Sequence, residues 1–378
     1  MRNVVVAGYA RSPFHLAGKG ALARVRPDDL AAQVIRGLIE RTGVKPEDIE
    51  DIVLGCAFPE GEQGFNVARL IGLLADLPLS VAGMTVNRFC GSSMSSVHIA
   101  AGQIQLGAGE VFICAGVESM SRVPMMGFNP LPNAELAKKT AAYLGMGDTA
   151  ENVATKYQIS RAQQEAFAVA SQDKAASAIA AGKLDAEIVP IPTKAGIVDK
   201  DGTPRPGTTV EALAGLKPAF AQEGTVTAGT SSPLTDGASA VLIASEDYAL
   251  ANGLPILARI KSVAVSGCQP EIMGIGPVEA SRKALGRAGL DVGQLDIVEL
   301  NEAFASQSLA CISDLGLDVD KVNVDGGAIA IGHPLGATGA RIVGKAAALL
   351  KREGGKYALA TQCIGGGQGI ATVLEAAE

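Results

Sequence analysis

The chain is poor in several features on which other classes of protein depend. It has no tryptophan and three histidines among 378 residues. No apolar stretch reaches about 18 uninterrupted residues, so the sequence predicts no membrane-spanning helix. Lysine and arginine form no basic stripe and the formal net charge is −7. This disfavours nucleic-acid binding, because phosphate contacts need clustered cations.

Cysteines are also sparse. Six occur along the chain and no two form a CxxC pair, so neither a disulfide framework nor a zinc site is predicted. The first residues lead directly into an apolar run without the features of a signal or transit peptide, and the last residues carry no peroxisomal signal. We therefore expect a cytoplasmic protein in which most cysteines are small buried apolar residues.

Apolar residues and glycine, by contrast, are abundant. Apolar residues make up 48% of the chain and charged residues 19%, so a sizeable core can form. The length suggests two or three structural units. The 46 glycines are scattered, and many lie beside strand-like segments. This distribution is typical of an α/β enzyme with many tight turns.

Two regions of the chain alternate predicted strands with predicted helices. In the first, the pattern indicates strands at 4–7, 51–55, 83–87 and 111–116 and helices at 28–41, 66–75 and 91–108. In the second, it indicates strands at 259–265, 297–300, 357–363 and 370–375, helices at 278–288, 303–315 and 338–352, and a short apolar segment at 322–324. This rhythm predicts a mostly parallel buried sheet.

The two regions resemble each other in order, which suggests an internal duplication. The segments Thr-Gly-Val and Asp-Ile-Val within 42–53 correspond to Ala-Gly-Leu and Asp-Ile-Val within 288–298. A chance match of such short segments is the alternative. We predict an α/β fold with duplicated halves, formed by residues 1–118, with a return segment at 232–255, and by residues 256–378.

The region between the halves, 119–231, has a different composition. It is richer in proline, glycine, lysine and polar residues, and it contains one clear helix. Ser160 is the predicted N-cap of that helix, Gln163 occupies the capping-box position, and Gly182 follows its end. We predict an inserted loop domain that covers a site built on the two halves.

Cys90 is the first candidate for chemistry. It lies between a predicted strand and a helix rich in glycine and serine. A helix N-terminus favours the thiolate, which is the nucleophilic form of cysteine. The alternative is a buried, inert cysteine.

The histidines differ in their surroundings. His333 lies among five closely spaced glycines and is a candidate to take a thiol proton or to donate to an oxyanion. A phosphate-cradling loop is disfavoured, because the segment matches neither GxxxxGK[ST] nor GxGxxG. His98 lies within the helix after Cys90 and is expected to be structural, and His15 has no obvious role.

Two more clusters follow predicted strands. Cys363 precedes several glycines, whose backbone N–H groups could form an oxyanion hole, and a simple turn is the alternative. Asn301 and Glu302 stand at a strand-to-helix junction, where they could cap a helix or orient a catalytic water. Sites in such sheets form at the carboxyl ends of strands, where all these residues are predicted to lie.

Four segments together resemble the signature blocks of the thiolases. They are Asn87-Arg88-Phe89-Cys90-Gly91-Ser92, Asn301-Glu302-Ala303-Phe304, residues 327–334 and residues 363–367. The resemblance runs over essentially the whole chain and implies that the duplicated halves form a layered αβαβα core. It implies reversible acyl transfer on 3-ketoacyl-coenzyme A (CoA), with CoA thioesters as substrates and neither a metal nor a separate cofactor.

The resemblance also implies a role for each residue. Cys90 would attack the 3-keto carbon with His333 helping to form its thiolate, and Cys363 would protonate the leaving acetyl-CoA enolate. The keto oxygen would be bound by His333 and a water held by Asn301. The thioester oxygen would be bound by the backbone N–H groups of Cys90 and Gly365.

The middle region resembles the CoA-binding loop domain of the family. The positions that match its CoA tunnel are Met146, Arg205, Phe220, Ala228, Ser232, Leu234 and Phe304. Arg205 would meet a phosphate and Ser232 the pantetheine. For Met146 and Phe220 the alternative is ordinary core packing.

Some segments depart from the biosynthetic acetoacetyl-CoA thiolases. Thr230-Ser231-Ser232-Pro233 replaces Asn-Ala-Ser-Gly, Gly145 stands where those enzymes carry histidine, and the chain is shorter around 122–142. These departures favour a degradative enzyme of fatty-acid β-oxidation with a roomier acyl pocket, and a homodimer rather than a tetramer. Some degradative thiolases associate with a hydratase–dehydrogenase subunit, and the sequence shows no interface for one.

Three alternatives remain at this point. One is a biosynthetic acetyl-CoA acetyltransferase that forms acetoacetyl-CoA. Another is a 3-ketoacyl synthase acting on carrier-protein thioesters, which is disfavoured because such enzymes pair their cysteine with two histidines or with a histidine and an asparagine. The third, from a different class, is a non-catalytic acyl-CoA-binding protein.

Overall fold

The computed structural model describes residues 2–377, which fold into alternating strands and helices. The strands are β1 (Val4–Arg11), β2 (His15–Leu16), β3 (Asp51–Gly55), β4 (Ala82–Val86), β5 (Val111–Ser119), β6 (Ile191–Thr193), β7 (Gly196–Val198), β8 (Thr235–Ser245), β9 (Ala258–Gly267), β10 (Ile297–Leu300), β11 (Tyr357–Ile364) and β12 (Gln368–Glu375). The helices are α1 (Pro27–Thr42), α2 (Val67–Leu74), α3 (Ser92–Leu106), α4 (Ala134–Lys139), α5 (Met146–Lys156), α6 (Arg161–Ala180), α7 (Val210–Ala214), α8 (Glu246–Ala251), α9 (Gly276–Ala288), α10 (Ala305–Leu315), α11 (Ala328–Ile331) and α12 (Thr338–Glu353).

The main sheet is mixed rather than mostly parallel, so that expectation was wrong. Its strand order is β10-β11-β12-β9-β1-β8-β5-β3-β4, with β2 beside β8. Parallel pairing joins β3 to β4, β3 to β5 and β10 to β11, and the other pairs are antiparallel. Strands such as β1, which begins with the predicted apolar run at 4–7, are buried along their whole length. They therefore carry the continuous apolar pattern that the sequence reading associated with parallel strands.

The pairing pattern repeats between the two halves. The antiparallel pairs β1–β8 and β8–β5 and the parallel pair β5–β3 have counterparts in β9–β12, β12–β11 and β11–β10. The second half lacks a full counterpart of β4, because the apolar segment at 322–324 makes a single bridge from Val322 to Val298. The duplicated α/β fold predicted from the sequence is confirmed.

Helices cover both outer faces of the halves and fill the space between them. The buried cluster containing Ile35 and Ile71 packs α1 and α2 on one outer face. A central cluster, with Val97 and Val343, places α3 and α12 between the halves. A third cluster, with Ala284, packs α9 and α10 on the other outer face. The layers therefore run αβαβα.

The middle region contributes mainly helices. Ser160 caps α6 as predicted, and the capping box with Gln163 is complete. The strands β6 and β7 form a separate hairpin, and β8 then returns to pair with β1 and β5. None of the helices described within residues 2–377 is long and apolar enough to cross a membrane.

Candidate active site

A tight turn between β4 and α3 presents Cys90. Phe89 has φ of 43°, a conformation that L residues with bulky side chains avoid. The turn is held by hydrogen bonds: Asn87 Oδ1 accepts from the Phe89 N–H at 2.8 Å, and Ser92 Oγ accepts from the Arg88 N–H at 2.9 Å. The Gln362 side chain donates to the Cys90 carbonyl. The strained backbone places a half-buried Cys90 at the wall of a cavity.

The thiol of Cys90 is not a ready thiolate. Burial, followed by the charge of the nearby Glu118 carboxylate, raises its pKa to about 12. The backbone N–H groups of Gly365 and Cys90 act in the opposite direction. Desolvation therefore outweighs the helix N-terminus that the sequence analysis invoked, and Cys90 needs a base to react at neutral pH.

His333 is the base within reach of this chemistry. Its ring is buried, with Nδ1 2.6 Å from Thr338 Oγ1 and Nε2 3.4 Å from Asn301 Nδ2. The His333 backbone N–H donates to Thr235 Oγ1 at 3.1 Å. Burial, and then the charge of Arg341, lower the pKa of His333 to about 3. The imidazole is therefore neutral at pH 7 and can accept a proton when a negative charge forms beside it.

The buried neutral imidazole leads to a prediction about acid stability. Below pH 6.5 the unfolded chain protonates this histidine, whereas the folded chain does so only near pH 3, so stability falls as the pH decreases. Lowering the pH from 7 to 5 should cost about 2 kcal/mol through His333 alone. Urea unfolding of His333→Asn should show a pH dependence smaller by about that amount. An unchanged pH dependence would contradict a neutral His333.

Cys363 and Asn301 complete the group at the strand ends. Cys363 lies at the end of β11 opposite Gly369 and is buried. Burial, followed by the charge of Cys90, raises the pKa of its thiol well above the ordinary value. Asn301 follows β10, and its buried Oδ1 has no hydrogen-bond partner among the described residues. An acceptor in this position can be satisfied by a substrate or a bound water.

Two cavities meet at Cys90. The catalytic cavity, of about 250 Å³, is lined by Cys90, His333 and Cys363. The side cavity, of about 320 Å³, is almost entirely apolar. The residues that line the side cavity are Phe58, Phe89, Cys90, Met125, Met126, Pro130, Leu131, Pro132, Ala142, Tyr143, Leu144, Gly145, Met146, Leu335, Gly365 and Gly366.

Most of the residues matched to the CoA tunnel lie around the catalytic cavity. Those that line it are Met146, Phe220, Ser232, Leu234 and Phe304. The rings of Phe220 and Phe304 meet edge to face, with centroids 5.9 Å apart. Arg205 and Ala228 line neither cavity and are exposed on the middle region.

The sequence reading missed Glu118, a buried carboxylate at the end of β5. It accepts hydrogen bonds from the backbone N–H groups of Ala57 at 2.8 Å and Gly336 at 3.0 Å, and from the Gln63 side chain at 2.8 Å. Glu118 thereby joins the loop after β3 to the loop after His333. An acidic residue at the end of an otherwise apolar strand was the signal that could have revealed it.

Glu302 plays a comparable structural part on the other side of His333. Its carboxylate accepts from Ser171 Oγ at 2.6 Å, from Asn323 Nδ2 at 2.8 Å and from the Ile329 N–H at 3.1 Å. Burial raises the pKa of this carboxyl. The neighbouring residues Asn301 and Glu302 therefore have different contacts. Asn301 faces His333, whereas Glu302 holds the glycine-rich segment that leads to His333.

Two family models match consecutive parts of the chain. The model for the thiolase N-terminal domain matches residues 4–247, and the model for the thiolase C-terminal domain matches residues 254–376. The chain belongs to the thiolase family. It is therefore an acyltransferase. Within residues 2–377, no group of three or more His, Cys, Asp or Glu side chains is placed to hold a metal ion.

Similar proteins match this thiolase over its full length. A 3-ketoacyl-CoA thiolase of Bacillus subtilis is 48% identical, and one of Aliivibrio fischeri is 50% identical; each alignment covers 99% of this chain and 100% of the relative. The solved structure of human mitochondrial 3-ketoacyl-CoA thiolase in complex with CoA has a TM-score of 0.92 at 40% identity. That alignment covers 100% of this chain and 98% of the human chain.

Proposed function

We propose that this thiolase degrades 3-ketoacyl-CoA, using CoA to release acetyl-CoA and an acyl-CoA shortened by two carbons. The apolar side cavity that opens at Cys90 is the main support, because it offers room for an acyl chain beyond the reacting carbon. The 3-ketoacyl-CoA thiolases of comparable length support the same substrate class.

In the first step of the proposed reaction, His333 takes the Cys90 proton and the sulfur attacks the 3-keto carbon. The new oxyanion is bonded to the same carbon as the Cys90 sulfur. The N–H groups of Cys90 and Gly365 both reach that sulfur, so they are better placed for this oxygen than His333 is. We therefore assign the keto oxygen to the N–H groups of Cys90 and Gly365, and the thioester oxygen to His333 and a water held by Asn301. This assignment is the reverse of the one that the family resemblance implied.

In the second step, the C2–C3 bond breaks and its electrons form the enolate of acetyl-CoA. His333, which lines the catalytic cavity, and a water held by Asn301, whose Nδ2 lies 3.4 Å from His333 Nε2, suit the enolate oxygen. Cys363 donates its proton to C2 of the enolate. The thiol of a second CoA then gives its proton to the Cys363 thiolate and takes the acyl group from Cys90. The Cys90 thiolate leaves and recovers its proton from His333, which completes a ping-pong cycle.

A series of acyl chain lengths tests the proposed substrate class. We expect a medium-chain 3-ketoacyl-CoA to be cleaved with a higher kcat/KM than acetoacetyl-CoA, because each buried methylene contributes about 0.8 kcal/mol. Ala142→Trp should fill the side cavity and lower the medium-chain kcat/KM by about tenfold or more. The acetoacetyl-CoA value should change by less than about threefold.

The neighbouring Ala141 provides a matched control, because it lies outside the side cavity. Ala141→Trp adds the same bulk and should preserve the preference for the longer chain. An enzyme that cleaves only acetoacetyl-CoA would instead be an acetyl-CoA acetyltransferase, and the degradative assignment would be wrong.

We also propose that two copies of the chain associate through β4. This strand is the edge of the main sheet, and Gly83–Val86 are half-exposed. Leu70, Leu73 and Leu74 on the adjacent helix α2 are exposed apolar residues. A sedimentation-velocity experiment that shows a monomer at micromolar concentration would contradict this proposal. Association with a hydratase–dehydrogenase subunit stays a prediction of the family resemblance.

We propose a cytoplasmic location, supported by six cysteines that are all free, as is usual in a reducing compartment. Recovery of the enzyme in an oxidising compartment on cell fractionation would contradict this location.

The division into two halves and a loop domain at 119–231 is likewise a proposal. It is supported by Met125, Met146 and Phe220, through which the loop region contributes to the catalytic cavity. Limited proteolysis should release fragments with ends near these boundaries.

A further inference from the structure

A third cavity, of about 350 Å³, lies far from Cys90. Its walls come from β1, the end of α1, the segments at 183–187 and 255–257, and the carboxyl-terminal half of α12. It shares no lining residue with the catalytic or side cavity. We call this third cavity the remote cavity. Helix α12 begins beside His333, and Leu349 of the same helix lines the remote cavity. The rise of about 1.5 Å per residue separates Leu349 from Thr338 by roughly 16 Å.

The remote cavity has more cationic than acidic groups. Arg41, Lys183, Lys345 and Arg352 line it together with one carboxylate, Glu187. The inner cations are already paired: Lys345 lies 3.0 Å from Glu187 and 2.6 Å from Asp325, which also binds Arg352 at 2.7 Å. Glu187 in turn also binds the buried Arg11 at 2.8 Å. Glu187 and Asp325 are therefore each shared between two cations.

Two cations at the rim form no ion pair in the part of the chain that the structure describes. Within residues 2–377, neither Arg41 nor Lys183 has a carboxylate within 4 Å. The Arg41 guanidinium is held in place by the Ala186 carbonyl at 2.8 Å and by the Ile188 carbonyl. Burial lowers the pKa of Arg41, and the charges of Glu40 and Glu187 offset this effect only in part. An anion bound here would pair directly with the guanidinium.

The rest of the remote cavity is apolar. Its apolar walls would make no favourable contact with a small inorganic ion, and they are formed by Pro255, Leu257, Ala348 and Leu349. Tyr9 also lines the cavity, and its hydroxyl, which is buried, has no hydrogen-bond partner among the described residues. The hydroxyl oxygen is closed off from the cavity, so a ligand would meet the ring of Tyr9 rather than its oxygen.

We propose that the remote cavity binds a small organic anion, with its acidic headgroup at Arg41 and Lys183 and its apolar body against Leu257 and Leu349. A carboxylate and a phosphate monoester share the required chemistry, because either can accept two hydrogen bonds from a fixed guanidinium. Binding links α1, the segment at 183–187 and α12, and it therefore stabilises the folded chain.

Titration calorimetry with the intact protein at constant ionic strength tests this site. The probes are hexyl phosphate, hexanoate, inorganic phosphate and hexanol. We expect at least one of the two amphiphilic anions to bind with a Kd below about 1 mM, and the tighter of them identifies the headgroup. Inorganic phosphate and hexanol should each bind at least tenfold more weakly, because each lacks one half of the ligand.

Substitutions at the rim locate the binding. Lys183→Met combined with Arg41→Gln should weaken binding of the tighter probe at least tenfold, whereas Lys194→Met, an exposed lysine on the β6–β7 turn, should leave the Kd unchanged. The double variant should retain thiolase activity, so loss of binding cannot be confused with failure of the catalytic proposal. Absence of saturable binding, or equal binding by the double variant, would overturn the inference.

Discussion

Cys90→Ala should lower the rate of 3-ketoacyl-CoA thiolysis by about 10^4-fold or more while the protein stays folded, because the proposed reaction then has no group to carry the acyl intermediate. The methyl group of alanine fits the space of the half-buried thiol, and the turn is held by Asn87 and Ser92 rather than by the sulfur. Steady-state kinetics and circular dichroism measure the two effects. A variant that retains near-normal turnover would remove Cys90 from the mechanism.

Cys114 offers a matched control for this substitution. It is a buried cysteine in the central layer whose thiol contacts the Ser96 carbonyl at 3.4 Å, and it lines neither cavity at Cys90. Cys114→Ala should lose about 1 kcal/mol of stability and retain its kcat. Equal loss of activity in both variants would indicate that general damage to the fold, rather than loss of the nucleophile, explains the result.

Cys363→Ala should separate cleavage of the carbon–carbon bond from acylation of Cys90. Without the proposed proton donor to C2, thiolysis should fall by about 10^2- to 10^4-fold. Acetylation of Cys90 by acetyl-CoA requires Cys90 and His333 in the proposed scheme, because water can protonate the departing CoA thiolate in place of Cys363. Intact-mass measurement should therefore still show one acetyl group per chain, formed at a rate within about tenfold of the parent.

Cys311 is the appropriate comparison for Cys363, because it is also buried and its thiol contacts a backbone carbonyl, that of Gly274 at 3.3 Å. Cys311→Ala should preserve both acylation and thiolysis. If Cys363→Ala loses acylation together with thiolysis, Cys363 shapes the cavity around Cys90 and is not a separate proton donor.

Much of this protein could be predicted from local signals. The capping box at Ser160 and Gln163 depends on residues three apart and is present as predicted. The alternation of strands and helices, the duplication and the positions of Cys90, Asn301 and Cys363 at strand ends also followed from the order of residues. The expectation of a strand end at His333 was wrong, because helix α11 precedes it. The features that were predicted correctly depend on the order of residues within short segments, so they can be read from the sequence alone.

The direction of the strands could not be predicted in the same way. A strand buried on both faces has the same apolar pattern whether its neighbours are parallel or antiparallel, and β8 is such a strand. Its partners β1 and β5 lie more than 100 residues away along the chain. Pairing over such distances is decided by packing of the complete layers.

The sequence by itself determined the family and the alternation of strands and helices, and it singled out the residues proposed to react, because each is carried by short ordered segments. Only the tertiary structure decided how those residues behave. Burial and the approach of Glu118 set the high pKa of the Cys90 thiol, and burial keeps His333 neutral. The apolar side cavity and the cationic remote cavity likewise arise where separate segments of the chain meet. Their walls and their charges come from residues that are distant in the sequence and become neighbours only when the chain packs.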